Sequence, residues 1–380
     1  MSIRRRNFMP LAAVAALHPT PAQTPPQTAG WTSLFDGSTL GGWTIVDGFE
    51  SHYYVGEGAI CVADHASFPA WLRSVRQYEN FELEGEFFIK GWTDAAFYLH
   101  APEHGQPSKS GFQIKVFHQV NNPPTPYSVG AVFPTVAPSK LNVKAGWNPF
   151  RILMDWPVLK VWINGEIVQD LNLDAQPELK DRLRIGYLGI AGASTPCRFR
   201  ALRIRELPSK QTWTTLYESP ADLDTNWQVS EGKPDFIPLG PVLRSAGLGH
   251  LATKQRFRDF QFQMYARTCA QHNAGVIFRS SGRGNPNAVS NEIQIHNVEE
   301  AHFPTGSLYH IKRATYPRIE DEKWFFFELD ALGKSVKVRI NGDLVMEYDQ
   351  LDNLAEGCIE LQAHRRGYWG EYKHIRVRAL

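Results

Sequence analysis

The feature that most constrains the fold is an internal repeat running nearly the whole chain. Trp31-Thr-Ser-Leu34-Phe35 returns as Trp213-Thr-Thr-Leu216-Tyr217, and Leu40-Gly-Gly-Trp43 as Leu223-Asp-Thr-Asn-Trp227. Phe81 to Phe87 matches Phe260 to Ala266, Asp94 to His100 matches Asn273 to Arg279, and Gly111 to His118 matches Ser290 to Asn297. Val161-Trp-Ile-Asn164-Gly165 returns as Val338-Arg-Ile-Asn341-Gly342, and Arg203-Ile-Arg205 as Arg376-Val-Arg378. The offset drifts from about 184 to about 173 residues, as loop insertions and deletions produce. The repeat divides the chain into residues 31–207 and 208–380, with a boundary at Leu207-Pro208-Ser209. A length of 380 residues agrees with two cores rather than one.

Each copy reads as all-β. Phe81 to Ile89 alternates apolar residues with Glu, the pattern of a half-buried strand. Asn164-Gly165 and Asn341-Gly342 each sit between two strand-like runs and supply the positive φ of a type I′ hairpin turn. Helical periodicity is weak, with one turn expected near Ala221 to Asp224. Many strands with long loops, twice over, suit two-sheet jelly-roll sandwiches.

Forty Lys+Arg stand against 39 Asp+Glu, so nothing calls for a nucleic-acid partner. Cys61, Cys197, Cys269 and Cys358 contain no CxxC pair; two disulfides would fit the count, but the spacing supports no pairing. Residues 1–30 read as a bacterial twin-arginine export signal and linker, with Arg5-Arg6-x-Phe8 as its core, so a periplasmic or extracellular location is expected. The apolar run Leu11 to Leu17 is too short to span a bilayer, and no other stretch approaches that length.

Chemistry concentrates between Asn273 and Asn297. In Asn291-Glu-Ile-Gln-Ile-His-Asn297, Ile293 and Ile295 would face one side, and Glu292, Gln294 and His296 the other. A carboxylate, an amide and an imidazole on one sheet face, with Arg279 nearby, suit a concave polar site for a polyhydroxylated ligand; a solvated strand face is the alternative. Gly247-x-Gly249-x-x-Ala252 matches a dinucleotide fingerprint formally but reads as a loop opening no helix. Glu299-Glu300-x-His302 could supply metal ligands, although a solvated loop is the simpler reading. Arg365-Arg366-Gly-Tyr368-Trp369 fits either stacking on a sugar ring or mutual cation–π packing.

The order of these landmarks resembles the bacterial 3-keto-disaccharide hydrolase family. It comprises Leu34-Phe35-Asp36-Gly37 to Trp43, the Asn273-x-Gly275-x-x-x-Arg279 strand, Glu292-x-Gln294, Thr305-Gly306-x-x-Tyr309, Asn341-Gly342 and Leu361-Gln362-x-His364. The resemblance implies two tandem concanavalin A-like β-sandwiches and elimination or hydration of 3-keto-glycosides, a net hydrolysis of 3-keto-disaccharides. It implies a carbohydrate substrate and no evident cofactor, with metal dependence left open. The first copy has His100 where Arg279 aligns, Gln113 for Glu292 and Lys115 for Gln294, and lacks the Gln-x-His. The second copy is therefore expected to hold the active site.

Such chemistry needs a base for the carbon acid, a stabiliser for the enolate oxygen and an acid for the leaving oxygen. The expected roles are Glu292 as base, Arg279 as stabiliser and His364 as acid. Asn273, Gln294, His296, Asn297, Tyr309, Gln362, Arg365 and Trp369 are the expected substrate contacts. A tandem glycan-binding protein without catalysis is the alternative function.

Overall fold

The computed structural model describes residues 30–118, 123–193, 197–210, 212–282, 291–364 and 366–380. The export-signal reading and Arg365 lie outside them. Among the described residues the regular secondary structure is almost entirely strand.

The first copy forms two sheets, one of eight strands and one of six. In the first, Phe81–Ile89 lies between Gly146–Asp155 and Cys197–Glu206. In the second, Trp71–Tyr78, Gly186–Ala193, Asp94–Ala101 and Phe112–Phe117 lie side by side. Phe87, Phe97, Phe150 and Phe199 fill the space between them. Burying such a side chain contributes about 1.5–3 kcal/mol.

The second copy closes eleven strands into one sheet that folds over on itself. Val242–Thr253 makes the corner, pairing with Gly370–Ala379 through its first half and with Cys358–Ala363 through its second. Gly247 and Gly249 have φ of 82° and 142°, a region that disfavours side chains, and let the strand change direction. The stretch read from sequence as a loop is therefore a strand. Its partner is Trp227–Leu239. The core between the two layers holds Phe262, Phe278, Ile293 and Phe327.

Both Asn-Gly turns form as expected, with φ of 51° and 80° at Asn164 and Gly165, and 52° and 84° at Asn341 and Gly342. The expected helical turn is the helix Pro220–Asn226, whose start is fixed by Asp222 accepting from the Glu218 and Ser219 amides. All four cysteines are free thiols. Among the described residues no helix is long and apolar enough to cross a membrane.

Among the described residues no strand bridges the two copies: one ends at Glu206 and the next begins at Thr214. Contact between them is made elsewhere. Leu183 packs with Tyr265 and Phe326. Glu103 reaches into the second copy, 3.0 Å from Lys373 and 3.1 Å from His374. Lys109 pairs with Asp343 at 2.7 Å, and Arg339 with Asp181 at 2.7 Å. The architecture is two tandem concanavalin A-like jelly-roll β-sandwiches.

Candidate active site

Four strands of the second copy line one concave face, in the order Asn291–Ile295, Ala274–Ser280, Cys358–Ala363 and Val242–Thr253. Pairing sets the side chains in rows. Glu292 lies opposite Ile277, Ile277 opposite Glu360, and Glu360 opposite Ala252. One step along, Gln294 lies opposite Gly275, and Gln362 opposite His250. Alternation keeps Ile293 and Ile295 in the core, as the sequence predicts, and Glu292, Gln294 and His296 outside it.

Glu292 is half-buried, and its carboxyl lies over Gly275, where a Cβ would overlap Oε1. Burial pushes its pKa up to about 7, against the opposing charge of His250. Glu360 is fully buried and accepts from Ser280 Oγ, from Ser230 Oγ at 2.7 Å, and from His250 Nδ1 at 3.2 Å. Burial works against its ionisation, but hydrogen bonds from His250, Ser280 and Ser230 outweigh it and hold Glu360 below the ordinary carboxylate range. His250 is its counterpart. Burial opposes its charge, yet Glu360, then Glu231 and Glu292, raise it above the usual imidazole value. The Glu292 carboxyl thus shares its sheet face with an imidazole anchored by a second carboxylate.

Neither His250 nor Glu360 was among the residues expected from sequence. Glu360 continues the Gln362-x-His364 alternation by one step, a signal open to reading. His250 carries no such signal, because Gly247 and Gly249 give its strand the look of a loop.

Arg279 is not part of this constellation. A register shift between Ile277 and Ser280, with φ of 54° at Arg279, breaks the alternation that would have put Arg279 on the concave face. Ser280 takes that place, facing Glu360. The Arg279 side chain is fully buried and donates to the carbonyls of Arg258 (2.8 Å), Gly333 (2.8 Å) and Asn353 (3.0 Å), and to Asp259 (3.1 Å). Its match in the first copy, His100, also has positive φ, 49°, and bonds the carbonyl of Glu79, the counterpart of Arg258. Both residues tie down the same bulge.

His364 is exposed and sits four residues beyond Glu360, about 13–14 Å along the strand. That puts it level with His296, away from Glu292. Beneath these two lies His272, buried, with neither ring nitrogen hydrogen-bonded; burial first, then the charges of His296 and His364, lower its pKa to about 4.

Of the expected sugar contacts, Asn273 and Gln294 hold each other at 2.7 Å and, with His296 and Tyr309, line a groove of about 420 Å³. Phe303, Tyr309 and His310 form its aromatic side, with Tyr309 and His310 ring centres 4.0 Å apart. Gln362 faces the site with Oε1 unpaired. Asn297 is instead a brace, bonded to Thr305 (2.6 Å) and Thr268 (3.1 Å). Trp369 packs under the guanidinium groups of Arg244 and Arg267, at 4.9 and 5.9 Å, arginines that lie outside its own loop. Thr305 and Gly306 pair along the free edge of the Glu292 strand and position Tyr309, whose amide donates to the Glu292 carbonyl. His302 meets Phe303 edge to face, and among the described residues no group of three His, Cys, Asp or Glu side chains is placed to hold a metal.

The equivalent face of the first copy is filled. Matching the registers puts Gly189 where Glu360 stands, Ala191 for Gln362, Trp71 for His250 and Tyr98 for Ile277. Trp71 and Tyr98 pack edge to face at 5.4 Å over this floor.

Among solved structures, a Parabacteroides distasonis ATCC 8503 protein provisionally assigned as a glycosyl hydrolase is similar at 19% identity, covering 47% of this chain and 94% of its own, with a TM-score of 0.42. A carbohydrate binding module from Bacillus subtilis matches at 14% identity over 40% of this chain and 96% of its own, TM-score 0.30. The Bacillus licheniformis beta-glucanase matches at 10% identity over 46% and 100%, TM-score 0.33. The comparison with curated proteins returned no match. The family profile of the 3-keto-alpha-glucoside-1,2-lyase-like domain matches twice, over residues 30–205 and 212–378. The chain belongs to that family and carries its domain in two tandem copies.

Proposed function

We propose that the second copy cleaves 3-keto-glycosides by elimination followed by hydration, with Glu292 as the base. The observation that carries this reading is a carboxyl poised near neutral pH on the same sheet face as an imidazole anchored by a buried carboxylate, in a 3-keto-glucoside lyase-like domain. The ketone at C3 acidifies the proton on C2. Glu292 takes that proton, the C1–C2 double bond forms, and the bond from C1 to the glycosidic oxygen breaks. His250 gives its proton to the departing oxygen, and Glu360 keeps His250 charged until then. Water then adds across the double bond: its hydroxyl goes to C1 while the neutral His250 takes its proton, and Glu292, after exchange with solvent, returns a proton to C2. The net result is hydrolysis.

Gln294, Asn273, Gln362 and His296 offer hydrogen bonds to sugar hydroxyls, and the Phe303–Tyr309–His310 rings offer an apolar wall to a second ring. His250 rather than His364 takes the acid role, and Arg279 does not face the enolate. The chemistry asks for no cofactor.

The test is turnover of a 3-keto-disaccharide in deuterated water. Release of 3-keto-sugar carrying deuterium at C2 supports the reading. Release without deuterium would point to direct displacement at C1, and a wild-type protein that binds without turnover would favour the glycan-binding alternative.

A further inference from the structure

The first copy has lost the carboxylates and the imidazole of its sister, but the open end of the same face is differently furnished. Asp94 and Lys115 stand where Asn273 and Gln294 stand in the second copy, and pair at 2.6 Å. Lys115 is almost completely buried, and its ammonium lies between two rings, 5.5 Å from Phe117 and 4.9 Å from Phe133. The rings continue outward on both sides. Phe133 meets Tyr127 at 5.2 Å, and Phe117 meets His118 at 4.6 Å, which meets Trp92 at 5.6 Å. At the two ends, Trp92 is 48% exposed and Tyr127 57%.

Large aromatic side chains left this open, linked by contact around a buried polar pair, are not needed by the core. The pair is neutral overall, so it favours an uncharged ligand that both donates and accepts hydrogen bonds. The rings favour a ligand with flat apolar faces. A hexopyranose combines the two, with C–H faces above and below and hydroxyls around its edge. A charged ligand would meet an unbalanced partner at the Asp94–Lys115 pair.

We propose that the first copy is a glycan-binding module, taking neutral oligosaccharide along the Trp92–Phe117–Phe133–Tyr127 platform without cleaving it. The site does not depend on the reaction assigned to the second copy. It would hold a longer glycan on the molecule while the second copy acts on the chain end.

The test uses the full chain carrying Glu292→Gln, titrated calorimetrically with cellotetraose and with maltotetraose. At least one should bind, and Trp92→Ala and Tyr127→Ala should each weaken that binding about tenfold or more, as loss of a stacking ring does. Both side chains are exposed, so their loss should leave the melting temperature unchanged. Tyr309→Ala, in the second copy, should remove only the component of binding that belongs to that copy's groove. The proposal is overturned if neither tetrasaccharide binds. It is overturned equally if Trp92→Ala and Tyr127→Ala bind like the parent, or if Tyr309→Ala alone abolishes binding.

Discussion

Glu292 carries a physical signature that can be read without substrate. Its carboxyl is raised from 4.5 to about 7 by burial, so the folded state holds a proton that the unfolded chain has released across that window. Its contribution to stability is therefore fully present below about pH 4.5 and lost as pH rises through about 7. Glu292→Gln cannot ionise and escapes the loss. The variant should match the wild type in melting temperature at pH 5 and exceed it by a few degrees at pH 8; thermal melts across that range check this. Arg279 makes the opposite case. Its removal takes a donor from the carbonyls of Arg258, Gly333 and Asn353 and the cation from Asp259. Arg279→Ala should cost about 3–5 kcal/mol of stability while leaving kcat per folded molecule unchanged. Urea unfolding beside active-site titration separates the two effects. The sequence marks Arg279 and Glu292 alike, as polar residues on alternating strands. Only the bulge, set by a backbone φ no side-chain pattern reveals, tells them apart.

At the level of strands, the site depends on close approach between neighbours. Gly275 leaves room for the Glu292 carboxyl to lie across the adjacent strand toward Gln294. Gly275→Ala would push that carboxyl aside, because the obstructing atoms are the end of a flexible side chain rather than backbone. The expected result is a fall in kcat/KM of roughly 10- to 100-fold with little change in melting temperature. Unchanged kcat/KM would mean that the position of Glu292 is not critical. Strand alternation and the Asn-Gly turns were legible in the sequence because both are local rules. The Val242–Thr253 strand was not, because its two glycines look like loop residues unless one knows that the sheet turns a corner there. With that strand unread, His250 had no face to belong to.

Across the whole molecule, the repeat and its fold class were legible, since similar sequences a domain apart force similar sheets. The contact between the copies was not, because it rests on side chains with no pattern of their own. Glu103 is held by Lys373 and His374, and its neighbour His104 stacks on Trp324. Burial would lower His374, but hydrogen bonds to Glu103 and Glu218 outweigh it and push it up to about 9. Its contribution is therefore fully present below about pH 6.5 and lost as pH rises through about 9. Calorimetry should show the copies melting together at pH 6 and separating above pH 9, and Glu103→Gln should move that separation to lower pH. Coincident melting at every pH would show that the apolar contact of Leu183 with Tyr265 and Phe326 suffices.

The central claim is that one copy cleaves and that Glu292 is its base. The most direct measurement is kcat on a 3-keto-disaccharide for Glu292→Gln and Gln113→Ala, which alter equivalent positions of the two copies. Glu292→Gln should lose 10²- to 10⁴-fold, the usual cost of removing a positioned base, while Gln113→Ala should stay within about tenfold of wild type. An active Glu292→Gln beside an inactive Gln113→Ala would contradict it and move the site to the first copy.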